Sequence, residues 1–426
     1  MIIHVVQPGE TIYSIAESYG LSAERLIQDN EVTNPNDLVV GQTIVIVYPE
    51  QTYTVQEGDT LQSIADANGV TQIQLLRNNP GLSDGNILYP GETIIINYDE
   101  KKIRNISTNG YAYPYIDQSV LRKTLPFLTY LTIFTYGFTA TGELIPINDK
   151  EIIQIAKDYG VAPIMLISTL TSEGTAFIEV AHAILINEES QNRLIDSIIA
   201  NMKAKGYYGL TVDFGYILLE DKQAYVDFIA KVTNRLNQEG YEVFVSVATK
   251  ITTESYEGHD YAGLGNAANA FLLLKYQWGY SAGPPMPTSP YNKVRELLDY
   301  TVSQISPEKV SIGLLKYGYD WALPYVAGET IARSLGNEAT VELAAEVNTI
   351  IQYDEVAQAP FYRYVDNSTG EPIEHIVWFD DARSINAKLQ LVPEYGLKGI
   401  IVWNIMRYFA QIWLLINTQF EIDKVL

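Results

Sequence analysis

The chain of 426 residues contains no cysteine. That excludes disulfides, thiolate metal sites and a cysteine nucleophile. It has only four histidines, His4, His182, His259 and His375, scattered with no pair at metal-ligand spacing, so no metal site is expected. Positive charge is scarce: 28 Lys and Arg stand against 51 Asp and Glu, for a net charge of -23. Nucleic acid, which calls for a basic footprint, is argued against as a partner, and so is adsorption to an anionic membrane surface. No apolar run reaches the roughly 18 residues of a membrane span. Residues 1–6 lack a charged leader and a long apolar stretch, so no Sec-type signal peptide is expected. Charged residues make up only 19% and apolar residues 47%, which argues for large packed cores rather than disorder.

What is abundant is tyrosine, 31 residues, with 5 tryptophans. Flat aromatic faces suit the apolar faces of neutral sugars, although most such rings serve as core or surface. A repeat of about fifty residues fills the N-terminal part. Val5-Val6-Gln7-Pro8-Gly9-Glu10-Thr11-Ile12 is echoed by Thr54-Val55-Gln56-Glu57-Gly58-Asp59-Thr60-Leu61. Ser14-Ile15-Ala16 recurs as Ser63-Ile64-Ala65, Asn30 as Asn79, and Gly41-Gln42-Thr43-Ile44 as Gly91-Glu92-Thr93-Ile94. Each copy reads as strand, helix, helix, strand: a glycine turn, a threonine N-cap, apolar residues at helical spacing, and a closing β-rich run. The copies span 1–49 and 50–98, and residues 97–102 read as a polar linker.

At nearly every signature position each copy resembles the LysM module. The resemblance implies binding of N-acetylglucosamine polymers, peptidoglycan or chitin-like glycan. It implies a sugar groove at Gly9, Glu10, Thr11, Ile12, Asn30 and Asn34 in copy one. In copy two the groove falls on Gly58, Asp59, Thr60, Leu61, Asn79 and Leu82. Turn and cap duties explain the glycines and threonines equally well.

From residue 103 onward, apolar strands alternate with helical patterns. Strands are expected at 103–108, 130–136, 162–167, 209–214, 242–247, 270–276, 309–315 and 399–403. Eight strands with intervening helices over 103–426 read as a (β/α)8 TIM barrel. The seventh connection, about 317–381, is too long for one helix and suggests a small α+β insertion.

Barrel sites sit at the C-terminal strand ends. There the fourth strand, Tyr208-Gly209-Leu210-Thr211-Val212-Asp213-Phe214-Gly215, resembles the D-x-x-D-x-D-x-E signature of glycoside hydrolase family 18. The stretches around 275–285, 317–325 and 378–384 resemble further signatures of its spore-associated branch, the N-acetylglucosaminidases that act on cortex peptidoglycan. That likeness implies a spore coat, cortex or cell-wall location and no cofactor, since the mechanism is substrate-assisted. The sugar's acetamido oxygen attacks the anomeric carbon, Asp213 would stabilise the cation, and a glutamate two residues on would protonate the leaving oxygen. Residues i and i+2 of a strand share a face. Here that acid position is Gly215, and the two earlier carboxylate positions are Tyr208 and Thr211. The resemblance further implies sugar contacts at Tyr276 and Trp403, with Trp278, Tyr280 and Trp378 as groove walls.

Three readings follow. The first is a glycan-binding barrel impaired in hydrolysis. The second is an active N-acetylglucosaminidase with a substitute acid, Glu220 or Asp221. The third is a structural spore-layer protein whose barrel binds no sugar. The sequence points to no protein partner.

Overall fold

The computed structural model describes residues 1–83, 87–169, 177–249, 259–276, 278–368 and 370–426, the side chains of 248, 249, 275 and 276 excepted. Module one runs β1 (Ile2–Val5), α1 (Ile12–Tyr19), α2 (Ala23–Asn30) and β2 (Thr43–Ile46). Module two repeats this as β3 (Pro49–Thr54), α3 (Leu61–Asn68), α4 (Gln72–Asn78) and β4 (Thr93–Tyr98). In both, the strands pair antiparallel. Thr11 and Thr60 cap α1 and α3 through reciprocal bonds with Ser14 and Ser63, and Gly20 and Gly69 end these helices in the left-handed conformation. The repeat is therefore a repeat of helix boundaries as much as of core residues.

The barrel chain continues as β5 (Arg104–Ala112), α5 (Gln118–Thr124), β6 (Tyr130–Phe138), the short arm β7 (Leu144–Ile145), α6 (Lys150–Asp158) and β8 (Ala162–Ser168). Then come α7 (Ile178–Leu185), α8 (Glu188–Lys205), β9 (Gly209–Asp213), α9 (Lys222–Gln238) and β10 (Glu242–Thr249). They are followed by α10 (Tyr261–Ala267), β11 (Ala270–Tyr276), α11 (Tyr291–Gln304) and β12 (Val310–Leu315). The insertion holds β13 (Tyr317–Ala322), β14 (Arg333–Gly336), α12 (Asn337–Glu346), β15 (Gln352–Asp354), β16 (Ala359–Asp366) and β17 (Ile373–Trp378). The chain closes with α13 (Ala382–Tyr395), β18 (Gly399–Trp403), α14 (Ala410–Gln419) and β19 (Phe420–Ile422).

Strands β5, β6, β8, β9, β10, β11, β12 and β18 form one parallel sheet, and β5 pairs with both β6 and β18, so the sheet closes on itself. These strands read as apolar runs because both faces are buried. One face packs outward on the helices; the other fills the barrel with Tyr111, Tyr130, Ile164, Leu166, Phe244, Leu272 and Ile401. The insertion folds as an antiparallel sheet in the order β14-β13-β17-β16-β15.

The stretch 97–102 is not a free linker. β4 runs through Tyr98, whose hydroxyl accepts a bond from Arg25 Nη2 of module one, 3.0 Å. Lys102 Nζ donates to the Asn417 carbonyl on α14. Both modules are packed onto the barrel, with Val45, Val47, Ile95 and Tyr98 in the same buried cluster as Trp413 and Leu415 of α14. Gln411 Nε2 donates to Asn30 Oδ1 (3.2 Å) and to the Thr43 carbonyl (2.6 Å). Arg77 Nε donates to the Pro126 carbonyl at 2.7 Å.

Module one also docks its β2 corner on the insertion. Val39 is buried with Ile351, Tyr362 and Phe379, and Ile351 N donates to the Val40 carbonyl, 3.0 Å. Gly41 makes this approach possible: its φ is +89°, and a Cβ there would lie 2.0 Å from the Ile351 carbonyl oxygen. Gly41→Ala is therefore expected to destabilise the chain by about 2–4 kcal/mol, combining positive-φ strain with a backbone clash. Gly91, the module-two counterpart, has the same φ sign and open space around it, so Gly91→Ala should cost only the strain. Equal thermal shifts in the two variants would show that the corner is not docked.

Candidate active site

Asp213 ends β9, wholly buried, with Ser168 of β8 opposite it in the ladder. Phe214 turns outward and stacks on Phe138, Tyr225 and Phe228 at 5.3–5.6 Å. Alternation then gives Asp213 the inward side, and Gly215 follows two residues on, just past the end of β9. Gly215 is buried as well. Tyr111 of β5, 1% exposed, brings its hydroxyl beside Thr211 and Thr132 and within electrostatic reach of Asp213. Burial first, and the Asp213 carboxylate second, push the Tyr111 hydroxyl's pKa far up, so it stays a proton donor. Trp403, at the end of β18, is partly exposed and packs its ring on Tyr111 (5.5 Å) and Phe134 (5.4 Å).

Next to these residues a cleft of about 1070 Å³ opens across the ends of β5, β6 and β8, its lining including Phe134, which packs on Trp403, and Ser168, which faces Asp213 in the ladder. Tyr113 and Tyr115 stack along it at 5.3 Å, Tyr115 being 75% exposed, and Phe177 faces it from the other rim. These rings were missed in the sequence, though the alternation Tyr111, Tyr113, Tyr115 at the end of a first strand is a signal for one aromatic face. A mostly apolar cleft that reaches Ser168, the ladder neighbour of the buried Asp213, is suited to hold the apolar face of a neutral sugar.

The model of glycosyl hydrolases family 18 matches residues 105–407. The chain belongs to family 18. LysM domains match 4–47 and 53–97. Over its full length the chain is 38% identical to the cortical fragment-lytic enzyme of Bacillus subtilis, covering 99% of that relative. The crystal structure of the spore cortex-lytic enzyme SleL of Bacillus megaterium superposes with a TM-score of 0.82 at 35% identity, covering 100% of this chain and 99% of that one. SleL of Bacillus cereus gives 0.82 at 33% identity, with 99% of each chain covered.

Within this family 18 barrel the signature positions separate in space. Tyr208 precedes β9 at the far, N-terminal end of the strand, near Tyr130 and Phe244. Burial, then Glu242, raises its pKa. Thr211 is buried on the inward face beside Tyr111. Tyr276 ends β11, opposite Thr249, and its side chain lies outside the described residues.

The expected wall residues differ in exposure. Trp278 is 8% exposed and belongs to the main core, so packing claims its ring. Trp378 stacks face to face on Phe361 at 4.5 Å within the inserted sheet. Tyr280 remains at the surface, 43% exposed.

The substitute acids are likewise placed. Asp221 is buried, and both its carboxylate oxygens lie 2.8–2.9 Å from His182 Nδ1 of α7. It sits at the head of α9, in the layer outside the strands. Glu220 is exposed on the preceding turn. The ligand-capable atoms of His182, Glu220 and Asp221 lie within 4.8 Å of one another. Histidine spacing along the chain did not foresee this group, because α7 meets the head of α9 only through the fold.

In the modules, several residues expected in the sugar grooves turn inward. Ile12, Leu61 and Leu82 are module core. The Asn30 amide bonds the Val45 backbone N and O (2.7 and 2.9 Å), and the Asn79 amide does the same at Ile95 (2.8 and 2.7 Å). These side chains brace strand against helix, which leaves only backbone for a ligand there. Glu10 and Asp59 accept from the Gln7 and Gln56 amides at 2.7 Å and so shape their own turns. Gly9, Thr11, Gly58, Thr60 and Asn34 stay exposed. On module two, Ile87 and Tyr89 stand 57% and 64% exposed beyond Leu82.

Proposed function

We propose that this family 18 chain binds N-acetylglucosamine-containing wall glycan, peptidoglycan of the spore cortex or cell wall, through its LysM modules and its barrel mouth. We further propose that it is impaired in hydrolysis. The observation that carries the reading is the pairing of a retained, buried Asp213 with Gly215 at the acid position. A glycine holds no proton for the leaving oxygen, and general acid assistance contributes about 10²–10⁴-fold. Asp221 is engaged by His182 and belongs to the outer layer, which weighs against the reading of an active enzyme with that substitute acid. The polar floor of Asp213, Tyr111 and Trp403 weighs against a structural protein that binds no sugar. The resemblance to cortex-lytic relatives supports the glycan class. Among the described residues no helix is long and apolar enough to cross a membrane.

The test joins binding to turnover. Titration of the full chain with N-acetylglucosamine oligomers should give saturable binding. Trp403→Ala should weaken it about tenfold, the loss of one aromatic platform, with the barrel still folded. Sugar release by the unmodified chain should stay near background. No binding at millimolar oligomer would favour the structural alternative.

A further inference from the structure

Histidine meets carboxylate at three places among the described residues: His4 with Glu10, His375 with Asp320, and His182 with Asp221. The first two have further partners. Glu10 is partly exposed and also accepts from the Gln7 backbone N. Asp320 is paired with Arg333 Nη2 at 3.1 Å and accepts from the Tyr364 hydroxyl at 2.9 Å.

The third pair is different. Asp221 is 3% exposed and heads α9, yet its carboxylate caps no backbone N–H there. Both its oxygens lie 2.8–2.9 Å from one atom, His182 Nδ1. Its chain neighbour Glu220 adds a second carboxylate, and the ligand-capable atoms of all three side chains fall within 4.8 Å of one another. Among the described residues no lysine or arginine pairs with either carboxylate. An imidazole carries a full positive charge only when protonated, and the head of α9 offers a partial one. Buried charges are ordinarily paired or bound to a metal. Two adjoining carboxylates beside one imidazole therefore call for a cation.

The spacing suits one. Ligand atoms held about 2.0–2.2 Å from a tetrahedral zinc ion stand about 3.4 Å apart. Here the His182–Asp221 atoms are slightly closer than that, and no separation in the group exceeds 4.8 Å. Glu220 is exposed, so its side chain can close the difference by rotation. A mixed imidazole and carboxylate set favours zinc-class ions over calcium or magnesium, which take oxygen ligands.

We propose that His182, Glu220 and Asp221 bind one divalent cation of the zinc class, with water completing its shell. The ion would join two parts of the barrel mouth. Helix α7 carries Val180 and follows Phe177, both in the lining of the cleft. The turn at 219–221 ends the segment that leaves β9 through Gly215. Bound metal would clamp the rim of the cleft to that segment, a role apart from glycan binding itself.

The test titrates the full chain, freed of metal by chelation, with zinc in a calorimeter. One equivalent should bind. Glu220→Gln should weaken the affinity about tenfold, and His182→Gln should abolish it. Both side chains are at least partly exposed, so the variants should keep the fold, which circular dichroism without metal checks. With ¹⁵N-labelled histidine, zinc should shift the ring nitrogens of His182 alone among the four histidines. Zinc should also raise the melting temperature of the unmodified chain and leave that of His182→Gln unchanged. Absence of saturable zinc binding overturns the proposal. So does affinity that either variant leaves undiminished, or ring shifts at His4 or His375 in place of His182.

Discussion

Gly215→Glu will raise N-acetylglucosamine release about 10²-fold or more above the unmodified chain. The argument is geometric. Phe214 is locked outward by three aromatic neighbours, so a side chain at 215 faces the same space as Asp213. A carboxyl there would reach the region where the leaving oxygen lies. A factor of 10² corresponds to about 2.7 kcal/mol of transition-state stabilisation. The full family rate is not expected, because Thr211, buried beside Tyr111, stands where a carboxylate would tune the acid and Asp213. Asp213→Asn on the same background should remove the gain, since the acetamide loses its partner. The assay is sugar release from cortex fragments by three chains: unmodified, Gly215→Glu, and the double variant. Robust release by the unmodified chain, abolished by Asp213→Asn, would show that another acid has taken over. Exposed Glu220 would then be the first residue to replace.

Lys388→Ala is expected to remove about 3–5 kcal/mol of stability. Lys388 and Asp380 are each 1% exposed and meet at 2.8 Å, with Ser289 Oγ bonded to both at 2.6 and 2.9 Å. Burial raises the Asp380 pKa and Lys388 draws it back down. Without the lysine, a carboxylate is left buried and uncompensated, and its pKa rises further. The folded state then binds a proton that the unfolded chain releases, so stability falls as pH climbs through that window. The deficit should shrink as pH drops toward the ordinary aspartate range and be largest at neutral pH. Denaturant unfolding at several pH values reads this. A pH-independent loss of about 1 kcal/mol or less would mean that the site relaxes or takes up water. Lys388→Met, which keeps the stem, separates packing from charge.

Much of this was legible in the residues. Parallel strands buried on both faces leave apolar runs that cannot be mistaken for alternating surface strands, and β6, β8, β9 and β18 fall where such runs do. The modules were legible because turn glycines, threonine caps and core positions recur together. Asp213 and Gly215 drew notice only through the resemblance of one strand to the family 18 signature. What was not legible depends on contacts between distant segments. Asn30 and Asn79 look like ligand residues until the strand that they brace is in place. Trp278 looks like a groove wall until its burial is known. His182 meets Asp221 across 39 residues. Asp380 and Asp381 read as a signature, yet one anchors Lys388 and the other caps α13.

The tied segment after module two has a consequence for how length is sensed. A flexible tether gives a second site an effective concentration that declines smoothly with its reach. Here the modules share buried side chains with the barrel, so the offset from module grooves to barrel mouth is set like marks on a ruler. A long polymer can lie across several marks at once and gain avidity. A short oligomer touches one mark and gains none, whatever its affinity there. The chain would then tell intact wall strands from their fragments by span alone, with identical sugar chemistry at every contact.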